Sequence, residues 1–134
     1  NAFKYKNEHT YTLPLDVDLM NQAAKLLFEY TDFQCFSKVK TEVKTYDCTI
    51  MEAHWEIHKN SLHFTIKADR FLRNMVRAIV GTMIEVGAKK RTLEEFREII
   101  SSKNRSNAGT SAPAHGLYLT TIEYPKSIYV HKED

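Results

Sequence analysis

Two neighbouring segments with the alternating pattern of β-strands limit the folds that this chain can adopt. In residues 62–68, polar and apolar side chains alternate, so the apolar ones share one face of a strand: Leu62, Phe64, Ile66 and Ala68. The segment before it, residues 43–58, changes its apolar parity at Ile50 and Met51, which predicts a β-bulge or a strand buried on both faces. A short turn at residues 59–60, where an Asn tolerates positive φ, separates the segments. The pattern therefore predicts a long β-hairpin.

Helical patterns stand on both sides of the predicted hairpin. The first predicts a helix over residues 17–30 with Asp16 as its N-cap. The second predicts a helix over residues 70–86, with Asp69 as its cap and an end at Gly87. Three basic residues of the second helix recur at helical spacing and are expected on the face opposite its apolar residues: Arg70, Arg73 and Arg77.

The remaining segments complete the predicted fold. A capping box beginning at Thr92 predicts a short third helix, and residues 117–124 predict a last strand. Residues 3–14 form a predicted extended segment. The order α-β-β-α-α-β predicts an α+β class, with an antiparallel or mixed β-sheet covered by helices. The whole chain is expected to be a single domain, with residues 1–14 and 126–134 as peripheral segments.

The composition, and the motifs that the sequence lacks, exclude several classes of function. The 134 residues, 43% hydrophobic and 27% charged, are typical of one globular domain. No apolar run reaches the roughly 18 residues that a membrane helix needs, and there is no signal-peptide pattern. The sequence also has no glycine-rich phosphate loop, no zinc-ligand spacing and no nucleophile elbow. Cys35 and Cys48 lack disulfide or metal spacing and are expected to be free thiols.

Basic residues gather in four clusters, although the net charge is only +2. The clusters are Lys38, Lys40 and Lys44; Arg70, Arg73 and Arg77; Lys89, Lys90 and Arg91; and Lys103 with Arg105. Such clusters are typical of a protein that binds the phosphate backbone of a nucleic acid, but ordinary solvated surface charge explains them as well. Arg77 differs because it lies among apolar residues with Gly81 one turn later. It is either a snorkelling surface side chain, which the pattern alone favours, or a guanidinium held for an anion.

Residues 70–87 strongly resemble a hallmark segment of the tRNA pseudouridine synthases of the TruA type. Three further stretches resemble the same family in the same order. They are residues 23–27 followed by Asp32, Phe33 and Phe36; Lys44 with Thr45; and Arg105 followed by residues 108–119, which include Ala-Pro-Ala-His-Gly-Leu-Tyr-Leu. The resemblance covers residues 15–125, nearly the whole chain.

The resemblance implies an enzyme that isomerises uridine to pseudouridine in the anticodon stem-loop of tRNA, without a metal or an organic cofactor. Family members are cytoplasmic homodimers in which one tRNA contacts both subunits. The target base is flipped out, and a catalytic Asp attacks the nucleotide, so that the base detaches, rotates and rejoins through carbon. That Asp and a base-stacking Tyr belong to an N-terminal half, and this sequence contains no Arg-x-x-Asp segment. We therefore expect the chain, which begins at Asn1 without Met, to be the C-terminal half of a two-domain enzyme.

The resemblance also implies roles for individual residues. Arg77 matches the family Arg that pairs with the catalytic Asp, and a planar, permanently charged fork suits a carboxylate. Leu117 matches an apolar wall of the uracil pocket, and Gly116 would let the backbone approach the base closely. Residues 40–44 fall where the family contacts tRNA. Together with the basic clusters, this stretch gives six residues from which we expect contacts with tRNA: Lys38, Lys40, Thr41, Lys44, Arg70 and Arg73.

A rival hypothesis is a stand-alone RNA-binding or assembly module without catalysis. The coding sequence upstream of Asn1 discriminates between the two hypotheses. A preceding domain with an Arg-x-x-Asp motif would indicate the enzyme, whereas a start codon directly before Asn1 would favour the module.

Overall fold

The computed structural model describes residues 2–6, 12–37, 45–59, 61–104 and 117–123. Its strands are β1 (Ala2–Lys6), β2 (Thr12–Asp16), β3 (Ile50–His58), β4 (Ser61–Ala68) and β5 (Leu117–Glu123). Its α-helices are α1 (Val17–Leu26), α2 (Met75–Gly87) and α3 (Leu93–Ser102), and two 3₁₀-helices span Leu27–Glu29 and Gln34–Phe36. β4 pairs antiparallel with β3 and parallel with β5, so the three-stranded sheet is mixed. The predicted α+β class is confirmed.

The predicted β-hairpin is confirmed, with a later start. β3 begins at Ile50 rather than at residue 43, and the register against β4 shifts between Ile50 and Glu52. This shift is the β-bulge that the change in apolar parity predicted. At the turn, the positive φ of 56° belongs to Lys59, whereas Asn60 lies outside the described residues.

Helix α1 covers the inner face of the hairpin. The apolar side chains of β4 are fully buried, and the Asn21 side chain joins α1 to β3. Its Oδ1 accepts from the backbone N–H of Trp55 over 2.8 Å, and its Nδ2 donates to the carbonyl of Trp55 over 3.2 Å. α1 also lies close to α2, because a Cβ added to Gly87 would stand only 2.5 Å from Sδ of Met20. The inner sheet face and the two helices therefore share one core.

The beginning of α2 differs from the prediction. The helix begins at Met75, with Asn74 as its N-cap in the left-handed conformation at φ 65°. The side chain of Asp69 does not cap α2, because its Oδ1 accepts from the backbone N–H of Thr49 over 2.8 Å. Residues 69–74 form instead a non-helical connector between β4 and α2, which we call the α2 connector.

Two of the three predicted helix arginines consequently lie outside the helix. Arg70 and Arg73 belong to the α2 connector, and only Arg77 lies in α2. The predicted stripe of three arginines on one helix face is therefore wrong. The apolar spacing of this segment suits a helix, but contacts with distant residues hold the connector in another conformation.

The other predicted segments have mixed outcomes. The capping box is confirmed, because Thr92 and Glu95 each accept from the other's backbone N–H. The first helix is α-helical only to Leu26 and then continues as a 3₁₀ turn. The extended N-terminal segment contains β1 and β2, which pair antiparallel. Residues 126–134 lie outside the described residues.

Both cysteines are buried free thiols, as the sequence predicts. Burial raises the pKa of the Cys48 thiol from 9.0 to about 11, because desolvation disfavours the thiolate. The thiolate is the reactive form, so at pH 8 native Cys48 should react with iodoacetamide on the order of a hundredfold more slowly than in the urea-unfolded protein. The difference between the reaction rates of the native and the unfolded protein should become smaller as the pH rises from 9 towards 11. Mass spectrometry of the Cys48 peptide measures both rates, and equal rates at pH 8 would contradict this expectation.

Candidate active-site cleft

A cleft of about 400 Å³ opens between α2 with its connector and β5. Six lining residues come from the helix side: Phe71, Leu72, Asn74, Met75, Val76 and Arg77. Leu119 and Thr121 line the cleft from β5. The volume lies within the range of small-molecule sites, and largely apolar walls with few polar groups are typical of them. The cleft can therefore hold a flat, partly apolar group beside one permanent cation.

Arg77 supplies that cation. It lies in the first turn of α2, and its side chain is exposed. Among the residues that the structure describes, none forms an ion pair with Arg77. The positive end of the helix dipole adds to the guanidinium charge at this place. The arrangement favours an anion in the cleft, which the snorkelling alternative alone would not require.

The roles predicted for Leu117 and Gly116 in the uracil pocket stay predictions, and the β5 residues that line the cleft are Leu119 and Thr121. Leu117 begins β5, and its backbone pairs with Leu62 of β4. Gly116 lies outside the described residues, so its expected approach to the base stays a prediction. Leu119 and Thr121 were not among the predicted site residues. The period of two along the final strand could have indicated both, because they are two and four positions after Leu117.

The predicted RNA-binding residues have different positions. Nη1 of Arg70 donates to the carbonyl and to Oγ1 of Thr45, over 3.2 Å each, and to the carbonyl of Asp47 over 3.4 Å. This guanidinium ties the α2 connector to the segment that leads into β3. Arg73 is exposed in the same connector. Lys38, Lys40, Thr41 and Lys44 lie outside the described residues, and RNA binding by all six residues stays a prediction.

Within the described ranges, no three His, Cys, Asp or Glu side chains are placed to hold a metal ion. No helix in the same part of the chain is long and apolar enough to cross a membrane.

Comparison with known proteins places the chain in a family. The family described as tRNA pseudouridine synthase matches residues 23–125, which contain the hairpin, α2 and β5. The chain therefore belongs to the tRNA pseudouridine synthase family.

Curated relatives from several bacteria are similar to nearly the whole chain. The tRNA pseudouridine synthase A of Bacteroides fragilis is 51% identical over 130 residues, which are 95% of this chain and 52% of the relative. That of Parabacteroides distasonis is 50% identical over 127 residues, 93% of this chain and 50% of the relative. That of Porphyromonas gingivalis is 52% identical over 118 residues, which are 87% of this chain and 47% of the relative. The chain spans about half the length of these relatives.

Proposed function

We propose that the complete protein isomerises uridine to pseudouridine in tRNA, and that this chain supplies the C-terminal half of its active-site cleft. The observation that carries this proposal is the position of Arg77. Its exposed side chain lines the cleft, and no ion-pair partner for it lies among the described residues. A carboxylate supplied by another domain would complete this arrangement.

In the proposed active site, the other domain supplies the nucleophile and this chain supplies the residues that hold the nucleophile and the base. The Arg77 guanidinium would hold the nucleophilic Asp ionised and aimed, because charge-assisted fork contacts stabilise a carboxylate in one orientation. The apolar surfaces of Leu119 and Phe71 would contact the faces of a flipped uracil, while Thr121 offers a hydroxyl to its polar edge. Covalent attack on the nucleotide would then release the base for rotation.

We propose the anticodon stem-loop as the modified region, a homodimer in which one tRNA contacts both subunits, and the cytoplasm as the location. Similarity to proteins named tRNA pseudouridine synthase A supports a tRNA substrate. No cofactor or metal is included in the proposed chemistry.

The direct test uses the complete protein and an unmodified tRNA transcript. Digestion to nucleosides followed by liquid chromatography and mass spectrometry should detect a uridine isomer with the retention time of pseudouridine. A transcript with each anticodon-stem-loop uridine replaced in turn locates the modified position. Tight tRNA binding by the complete protein without any isomer would favour the RNA-binding module instead.

We expect Lys40 and Lys44 to neutralise phosphates of the bound tRNA. In the complete protein, changing both to Ala should weaken tRNA binding and make the slope of log affinity against log salt shallower by about one to two units. Binding titrations at four or five salt concentrations measure the slope. Changing Lys89 and Lys90 to Ala is a matched control, because it removes the same charge from an exposed connection. An unchanged slope would assign Lys40 and Lys44 to ordinary surface charge.

A further inference from the structure

The α2 connector leads directly into the first turn of α2, which carries Arg77. At one end, Asp69 and Thr49 form two hydrogen bonds. The backbone N–H of Asp69 donates to the carbonyl of Thr49 over 3.1 Å, and the carboxylate of Asp69 accepts from the backbone N–H of Thr49 over 2.8 Å. At the other end, the left-handed backbone of Asn74 prevents α2 from continuing back into the connector.

The connector therefore has a defined start and a defined end, and Arg70 near its start bonds Thr45 and Asp47. Its middle contains Phe71 and Leu72, which line the cleft before α2 begins.

A carboxylate from the opposite wall of the cleft holds that middle. The backbone N–H of Phe71 donates to Oε2 of Glu123 over 3.3 Å. Glu123 ends β5, where it pairs with Ala68, the last residue before the connector. Leu119 and Thr121 have the same strand parity as Glu123, and both line the cleft. One face of β5 thus forms a cleft wall and also holds the wall opposite.

We propose that Glu123 is a positioning residue, which sets the separation between Arg77 and the β5 wall by holding the N–H of Phe71. The inference rests on the proposed function, because Glu123 acts through Arg77. A displacement of about 1 Å in a catalytic group can cost up to about a hundredfold in rate. A single exposed hydrogen bond contributes little to overall stability, so its loss should be visible in the rate rather than in folding.

The first test compares three variants of the complete protein. Glu123→Ala should lower kcat about tenfold and change the Kd for tRNA by no more than about twofold. Glu123→Gln keeps a side-chain oxygen that accepts a hydrogen bond, so it should retain most of the wild-type kcat. Glu94→Ala is the matched control, because it removes an exposed carboxylate from α3 that does not line the cleft. It should leave kcat unchanged.

The second test separates positioning from a merely structural role. If Glu123 acts through Arg77, adding Glu123→Ala to an Arg77→Ala background should cause no further loss in the single-turnover rate. Three results would each overturn the proposal. The first is a double variant whose loss in rate equals the product of the two single losses. The others are a Glu123→Ala protein whose melting temperature falls enough to explain its lower rate, and a Glu123→Ala protein with the wild-type kcat. An Arg77→Ala protein with full activity would also overturn the proposal, because Glu123 is argued to act through Arg77. A complete wild-type protein that binds tRNA but forms no pseudouridine would overturn the proposed function itself, so the two failures are distinguishable.

Discussion

The chain of residues 1–134, purified alone, should form no measurable pseudouridine from unmodified tRNA. The proposed reaction needs a nucleophilic carboxylate, and we propose that it lies outside residues 1–134, because this sequence contains no Arg-x-x-Asp segment. Losing a covalent nucleophile costs on the order of 10⁴-fold or more in kcat, even when the rest of a site is present. Arg77 cannot substitute, because a guanidinium is not a nucleophile at any physiological pH.

Nucleoside analysis after long incubation measures this result, with the complete protein as the positive control. Circular dichroism and thermal unfolding must first show that the isolated chain is folded. Co-expression with the proposed N-terminal half should restore activity if the nucleophile is all that the isolated chain needs. Turnover by the folded chain alone, within about tenfold of the complete protein, would contradict both the division of the active site and the covalent mechanism assigned to it.

Local features of the fold could be predicted because their physical causes lie within a few residues. The bulge at Ile50 follows from backbone alternation, since an extra residue must shift apolar side chains to the other parity. The capping box of α3 follows from two side chains three positions apart, Thr92 and Glu95, which bond each other's backbone. Neither feature needs information about distant parts of the chain.

The start of α2 could not be predicted from local sequence because distant residues determine it. Leu72 and Met75 have helical spacing, and Asp69 is a suitable N-cap residue. In the fold, however, Asp69 bonds Thr49, which is 20 positions away, and the N–H of Phe71 bonds Glu123, which is 52 positions away. These bonds satisfy groups that a longer helix would have used, so tertiary contacts prevail over helical pattern.

The candidate site required both the family resemblance and the structure. The pattern around Arg77 alone favoured a snorkelling side chain, because an exposed arginine near apolar residues is common on protein surfaces. The structure adds that the same side chain lines a cleft whose other wall comes from β5, more than 40 positions later. The structure also adds contacts of Arg70 that its place in a basic cluster did not indicate, because its guanidinium bonds Thr45 and Asp47. RNA binding by Arg70 stays a prediction.

Arg77→Ala should lower kcat of the complete protein by roughly two to four orders of magnitude. Arg77 is exposed in this chain, and the proposed Asp of the other domain would bury the pair that the two side chains form. Removing one partner of a buried, charge-assisted pair costs on the order of 3–5 kcal/mol, and each 1.36 kcal/mol is about tenfold in rate. Without the guanidinium, the pKa of the partner Asp should rise, and its carboxylate should no longer be held in the orientation needed to attack the nucleotide. Arg77→Lys should also be severe, because a point charge cannot reproduce the two parallel contacts of the fork. Single-turnover kinetics on unmodified tRNA measure both variants.

Arg73→Ala provides the matched control for Arg77→Ala. It removes the same charge from an exposed side chain in the α2 connector, one that is not part of the cleft lining. If Arg77 acts on the nucleophile, only Arg77→Ala should lose rate, while both variants keep a Kd for tRNA within a few-fold, because many phosphate contacts share the binding energy. Parallel losses of tRNA affinity in both variants, with kcat intact, would instead make Arg77 a phosphate contact. The ratio of the two kcat values therefore decides whether the cleft holds a reacting nucleotide or only borders bound RNA.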